Sequence, residues 1–205
     1  MNVLVKIFKK ASSTCDPKPQ LRMFFPDLLN PPDYTMLPKG FKSRPYRNND
    51  LDNWLNLMNQ NNQLGKWNRQ RIESILMDQS FSTGQQFVFV KENLVACGGA
   101  YVRSQNQSKF WEIGWIATNP KYFGIGLGSH VIIRAINFAR SQTNYPIFLL
   151  TDDYRIPAIS LYLKIGFLPS NLDDKEICIR WEEIKQKIKG PESETLRAYL
   201  EDRTN

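Results

Sequence analysis

Residues 110–129, FWEIGWIATNPKYFGIGLGS, constrain the fold of this chain more than any other stretch. The run opens with aromatic and aliphatic residues as far as Ile116, interrupted by Glu112 and Gly114, as a mostly buried strand would. It stops at Asn119-Pro120, because proline cannot donate to a sheet ladder and restricts the residue before it. Three glycines follow at alternate positions, Gly124, Gly126 and Gly128. Leu127, Val131, Ile132, Ala135 and Phe138 then recur at helical spacing. The order is strand, glycine loop, helix. The first turn of a helix leaves backbone N–H groups without partners, and the peptide dipoles add partial positive charge there. Missing side chains let a ligand approach the backbone. Such a loop can seat a phosphate or pyrophosphate. The alternative is a turn that needs glycine only for its dihedral angles.

The kind of phosphate ligand is narrowed by what is missing. No Gly-Lys-Ser/Thr follows the glycines, which excludes a P-loop. A dinucleotide fingerprint fits at Gly124-x-Gly126 but has Ser129 at its third position, and no βαβ repeat surrounds it.

A chain of 205 residues suits one domain with extensions and can bury a real core. No apolar run approaches the roughly 20 residues of a membrane helix, and the N-terminus MNVLVKIFKK lacks a signal-peptide layout. Three cysteines, Cys15, Cys97 and Cys178, are odd in number without metal-like spacing and read as reduced thiols in a cytoplasmic protein. The single histidine, His130, cannot build a histidine metal site, so no metal is expected. The net charge of +7 is scattered. It reads as a solvated basic surface or as attraction to an anionic cofactor; the basic cluster with interleaved aromatics that nucleic-acid binding would want is not seen, so no nucleic-acid partner is expected.

Residues 1–40 read as an irregular arm, since prolines recur at 17, 19, 26, 31, 32 and 38. Leu21, Met23, Phe24, Phe25, Leu28 and Leu29 are too apolar for a free tail, so the arm is expected to pack on the domain, where it could lid a substrate site. A strand over 41–47 leads to a helix capped by Asn49 or Asp50 and running to about Met58. A second helix spans about 68–79. Residues 87–91 and 94–103 form a hairpin, with a bulge or close backbone approach at Gly98-Gly99. After the glycine loop the helix runs to about Ser141, and 147–151 is a buried strand with Asp152 and Asp153 at its end. Pro157 opens a helix over 158–165 that Gly166 closes. Residues 167–168 and 177–181 are expected to pair as the last strands, followed by a charged helical tail over 183–205.

With PKYFGIGLGS and PAISLYLKIGF at those places in that order, residues 41–182 resemble the GCN5-related N-acetyltransferase (GNAT) superfamily. The resemblance implies an α/β (α+β) fold: a mixed central sheet of about six to seven strands, helices on both faces, and a splay between the fourth and fifth strands. The family's acyl-CoA pyrophosphate loop, Arg/Gln-x-x-Gly-x-Gly/Ala, is matched here by Phe123-Gly124-Ile125-Gly126-Leu127-Gly128, with Phe123 in place of Arg or Gln. The family's later Asn-x-x-Ala-x-x-Leu-Tyr is matched by residues 155–162, with Arg155 in place of the asparagine. By resemblance the pyrophosphate meets Gly124, Ile125, Gly126, Leu127, Gly128 and Ser129. Backbone groups of Ile116, Ala117 and Thr118 bind the pantetheine arm, near a bulge expected at Gly114, and Arg155 could reach a CoA phosphate.

Acyl transfer to an amine needs the thioester held, its oxygen polarised, the amine deprotonated and the leaving thiolate protonated. Tyr162 matches the family's general acid; the plain alternative is a core tyrosine beside Leu161 and Phe167. Glu112 is the first candidate base, directly or through water, on the face that alternation gives it with Gly114, Ile116 and Thr118. Asp152 and Asp153 are alternates, or helix caps. His130, in the first helical turn, reads as structural. The expected activity is N-acetylation of a primary amine by acetyl-CoA with direct transfer. The alternatives are a non-catalytic acyl-CoA-binding module and a protein N-terminal or lysine acetyltransferase. Acceptor contacts are expected from Asn53, Trp54, Met58, Gln60 and the loop near Trp67. The oligomeric state is open, with a homodimer as one option.

Overall fold

The computed structural model describes residues 18–27, 29–33, 36–60, 64–76 and 84–202. In chain order the elements are β1 (Leu21–Phe25), β2 (Phe41–Pro45), α1 (Leu51–Gln60), α2 (Arg69–Leu76), β3 (Gln85–Val90), β4 (Asn93–Gln105), β5 (Ser108–Thr118), α3 (Leu127–Gln142), β6 (Ile147–Thr151), α4 (Ile156–Ile165), β7 (Leu168–Pro169), α5 (Lys175–Lys185) and α6 (Pro191–Asp202). The strands form one seven-stranded mixed sheet in the order β2-β3-β4-β5-β6-β1-β7. The helices pack on both of its faces. Trp54, Leu57 and Met58 of α1 and Ile72 of α2 meet Phe87, Cys97 and Tyr101 on one face. Helices α3 to α6 cover the other, where Ile132, Ile136, Ile159, Leu163, Trp181, Ile184 and Leu200 share one cluster with Leu149 of β6. Among the described residues no helix is long and apolar enough to cross a membrane.

Most elements stand where periodicity and punctuation put them. Gly166 closes α4 at φ 112°, a left-handed conformation that favours glycine. Asn68 caps α2 by accepting from the Arg71 N–H at 2.9 Å, while residues 77–79 of the expected helix lie outside the described residues. Ahead of α1 the expected cap is differently built. Asp50 lies in a short 3-10 turn and reaches back to accept from the Arg47 N–H at 2.7 Å and from both Arg44 nitrogens.

Two expectations change together. The segment 177–181 is helical, part of α5, which Asp174 caps through the N–H groups of Glu176 and Ile177. Its apolar residues serve a helical stripe, with Trp181, Ile184 and Ile188 in the core. The place it was expected to take in the sheet is held by β1, from the stretch read as an irregular arm. β1 runs antiparallel to β6, with Leu21 opposite Thr151 and Phe25 opposite Ile147, and pairs with β7 on its other edge. Leu21, Met23 and Phe25 are buried at alternate positions, as a strand with one face on the core requires. Helices α5 and α6 also bury core residues, so residues 183–202 pack as part of the same body. Residues 1–17 of the expected arm and 203–205 of the expected tail lie outside the described residues.

An ion pair anchors this N-terminal segment. Buried Arg180 of α5 donates from Nε to Asp153 Oδ2 at 3.0 Å, and its Nη2 donates to the Pro19 carbonyl at 2.9 Å. The hydrogen bond from Arg180 holds the Asp153 carboxyl below its ordinary value of 3.8. A depressed carboxyl contributes stability that is full above that ordinary value and lost as pH falls through the lower folded one. The stability difference between the wild type and Asp153→Asn is therefore expected to stay constant from neutral pH to about pH 4 and to shrink in more acid solution, as read by urea unfolding at each pH.

Candidate active site

Strands β5 and β6 run parallel but pair only over three residues, Trp111 with Ile147, Glu112 with Phe148 and Ile113 with Leu149. Past Ile113 they separate. The other edge of β5 stays paired with β4 to its end, Cys97 opposite Ala117 and Ala96 opposite Thr118. The β5–β6 ladder therefore ends at Ile113, and residues 114–118 diverge from β6, the expected splay.

The bulge lies one position beyond the expected Gly114. Gly114 pairs regularly with Gly99, and the next pair is Ala117 with Cys97, so Trp115 and Ile116 together face Gly98. Trp115 takes up the extra residue at φ 53°, a left-handed conformation uncommon for a tryptophan. The bulge breaks the alternation assumed for Glu112. Trp115 and Ala117 pack with the α1–α2 cluster, Ile116 turns to the α3 side, and Thr118 Oγ1 lies near Gly128 at the start of α3. Glu112 and Gly114 both meet Tyr101 on the α1–α2 face, so Glu112 does not share a face with Ile116 and Thr118.

A cavity of about 470 Å³ occupies the gap. Ile113, Ile116 and Tyr162 line it from the α3–α4 side, and Glu112, Trp115 and Arg71 line it from the α1–α2 side. The opening thus passes between the two central strands from one face of the sheet to the other. Lys18, Pro19 and Gln20, just ahead of β1, form part of its wall.

Tyr162 is a core residue that also reaches the cavity. It packs edge-on against Phe167 in the core, with centroids 6.1 Å apart, and it lines the cavity. Burial pushes its phenol up to about 12, Arg155 draws it down and Asp152 raises it. Glu112 accepts from the Tyr101 hydroxyl and, at 2.9 Å, from Arg103 Nε. The two aspartates part company. Asp152 lines the cavity and pairs with Arg155 at 2.9 Å, whereas Asp153 is held by Arg180 and does not line the cavity. Arg155 also lines the cavity, at the N-cap of α4.

The glycine loop opens α3 as the sequence implies. Gly124 and Gly126 stand at φ 79° and 88°, and a Cβ on either would meet nothing within 4 Å. The requirement there is the dihedral angle, and the space over the backbone is open. Gly128 is demanded by packing instead, since its Cβ would lie 3.2 Å from Leu161 of α4. No side chain caps α3, so the N–H groups of Leu127, Gly128 and Ser129 are left for a ligand. Phe123 and Ile125 are exposed on the loop. His130 is buried, its N–H donating to the Gly126 carbonyl at 3.0 Å. These open amides and the diverging β5 edge fit an extended phosphorylated thioester. Ile116, Ala117 and Thr118 would hold its pantetheine arm, and residues 124–129 its pyrophosphate.

The acceptor side differs most from expectation. Trp54 and Met58 are fully buried in the core, and Asn53 and Gln60 line a separate polar pocket with Asn119. The wall facing Glu112 comes instead from Leu64, Arg71 and Trp115. Trp67 supports it edge-on, 5.0 Å from the Trp115 ring. Arg71 sits on the polar face of a short amphipathic helix, where nothing local distinguishes it from a solvated arginine. Cys97 lies under this wall, bonded to the Trp115 carbonyl, and burial pushes its thiol up to about 12, far from a reactive thiolate.

The sequence pattern of the Acetyltransferase (GNAT) family matches residues 48–167, more than half of the chain. No curated protein sequence matches it. Among solved structures, a GNAT-family acetyltransferase from Colwellia psychrerythraea superposes with a TM-score of 0.60 at 15% identity, over 74% of this chain and 53% of that one. A putative GNAT-family acetyltransferase from Novosphingobium aromaticivorans gives 0.51 at 19% identity over 74% and 59%. Arabidopsis thaliana Naa50, in complex with the bisubstrate analogue CoA-Ac-MVNAL, gives 0.51 at 16% identity over 62% and 82%. The chain thus spans little more than half the length of the first two, and at these identities the likeness is one of fold. The sequence match covers the elements that build the splay, the glycine loop and the helix bearing Tyr162, and on that ground this chain belongs to the Acetyltransferase (GNAT) family.

Proposed function

We propose that this protein transfers the acetyl group of acetyl-CoA directly to a primary amine. One observation carries the reading: the sheet opens past Ile113 into a cavity that holds Tyr162 and Glu112 together. Acetyl-CoA supplies the acetyl group; the C–S bond breaks as a C–N bond forms, the amine gives up one proton and the thiolate takes one. The chain's residues divide the work. N–H groups of 124–129 bind the pyrophosphate, and the edge of 116–118 that diverges from β6 orients the arm. Glu112, held by hydrogen bonds from Arg103 and Tyr101, retains acceptor capacity on its two oxygens and takes the amine proton, directly or through water. Asp152 is committed to Arg155 and Asp153 lies outside the cavity lining, so Glu112 is the better-placed carboxylate. Tyr162, protonated throughout the physiological range, donates its Oη proton toward the leaving sulfur.

Incubation with acetyl-CoA and a panel of primary amines, small molecules and peptides alike, is expected to release free CoA with at least one of them. Tight CoA binding with no release from any amine would instead assign the fold to a binding module.

A further inference from the structure

The cavity has a cation that neither the proposed chemistry nor CoA phosphate binding uses. Glu112 is paired with Arg103, and Asp152 with Arg155. Arg71, on α2, lines the same cavity, and among the described residues no carboxylate pairs with it. Its guanidinium carbon lies 3.8 Å from the centroid of the Trp67 ring, and Nη1 donates to the Lys66 carbonyl at 3.0 Å. Among the described residues one of its five donors is used. Burial with no compensating carboxylate lowers its pKa. A partly desolvated guanidinium seated over an indole is a preorganised partner for a planar anion.

The surroundings limit what the anion belongs to. Residues 124–129, where the pyrophosphate is proposed to sit, do not line this cavity, which sets Arg71 apart from them. Leu64, Trp115 and Leu150 give the space apolar walls, and its volume of about 470 Å³ favours a small molecule. Trp115 is turned toward Trp67 by the bulge that also opens the sheet.

We propose that the acceptor is a small amine that also carries a carboxylate, such as an amino acid with an apolar side chain, and that Arg71, seated on Trp67, binds that carboxylate. The inference rests on the amine-acceptor reading above. Arg71 acts as a specificity residue: it holds the acceptor and takes no part in proton transfer.

The test compares matched pairs that differ only in the carboxylate: L-phenylalanine with phenethylamine, L-tryptophan with tryptamine, and β-alanine with ethylamine. Binding is read by calorimetry on the full chain saturated with CoA, and turnover by CoA release from acetyl-CoA. The acid of at least one pair is expected to bind about ten- to a hundredfold tighter than its decarboxylated partner, the range of a hydrogen-bonded charge pair. Arg71→Gln should erase that preference with CoA affinity unchanged, and Arg71→Lys should restore part of it. Equal binding or turnover of acids and plain amines would overturn the assignment while leaving acetyl transfer intact, as would a preference that survives in Arg71→Gln. Failure of every acid to bind would also overturn it. Acids that bind through Arg71 without any CoA release would sustain the carboxylate site and remove the transfer reading. Should Arg71→Gln fold poorly, the matched pairs on the wild type still decide.

Discussion

Tyr162→Phe is expected to lower kcat by about two to four orders of magnitude, the usual contribution of a positioned general acid, while CoA binds as it does to the wild type. The split follows from where the hydroxyl lies. The ring packs against Phe167 in the core, and phenylalanine fills the same space, so α4 and the wall of the cavity should stay in place. Only the hydroxyl proposed as the proton donor is lost. Because burial holds the phenol at about 12, its titration does not shape the pH–rate profile between pH 6 and 10. The variant should therefore show a lower profile of the same form. Steady-state kinetics across that range, with CoA affinity by calorimetry, checks both parts. Unchanged turnover would make Tyr162 a packing residue. Gly126→Val provides the opposite signature: a β-branched residue at φ 88° strains the loop that presents its amides, and CoA affinity should fall before kcat does.

Met23→Asp is expected to abolish cooperative folding of the full chain or to cost more than about 4 kcal/mol, the range reserved for charges placed in a core. Met23 is fully buried in β1 and opposite Leu149 of β6 on one side and Pro169 of β7 on the other. A carboxylate there has no cation within the main hydrophobic cluster to pair with, among the described residues. Met36→Asp is the control, because Met36 is almost fully exposed and its change should stay within about 0.5 kcal/mol. Urea unfolding followed by circular dichroism reads both. Were the N-terminal segment merely laid on the surface, the two substitutions would have similar, small effects.

The two results bear on each other, because β1 and the active site share a strand. β1 completes the sheet against β6, and β6 is the strand whose divergence from β5 opens the cavity. Immediately ahead of β1, Lys18 to Gln20 form part of the cavity wall, and Arg180 ties Pro19 to the loop after β6 through Asp153. Residues 18–25 thus contribute both a strand of the sheet and part of the cavity wall.

The phosphate loop, the strand before it and the helix after it were legible in the chain because their signals are local. A glycine at positive φ, a proline that ends a strand and apolar residues at helical spacing act within a few residues of themselves. Tyr162 and the closing Gly166 could be placed on their helix for the same reason. What needed the tertiary structure was every choice between partners far apart in sequence. Leu21, Met23 and Phe25 alternate as a strand does, but six nearby prolines masked it, and nothing local says that β6 will pair with them in preference to residues 177–181. The segment 177–181 alternates as well, yet its burial continues at Ile184 and Ile188, and packing against the core settles it as helix. The bulge at Trp115 depends on the register of β4 against β5, a difference of one residue that turns Ile116 and Thr118 away from the face of Glu112. Arg71 becomes part of a site only because α2 is laid across the mouth of the splay. Local chemistry in the sequence determined the glycine loop and the helix it opens; the competition among distant strands and helices for one core decided which residues line the cavity between β5 and β6.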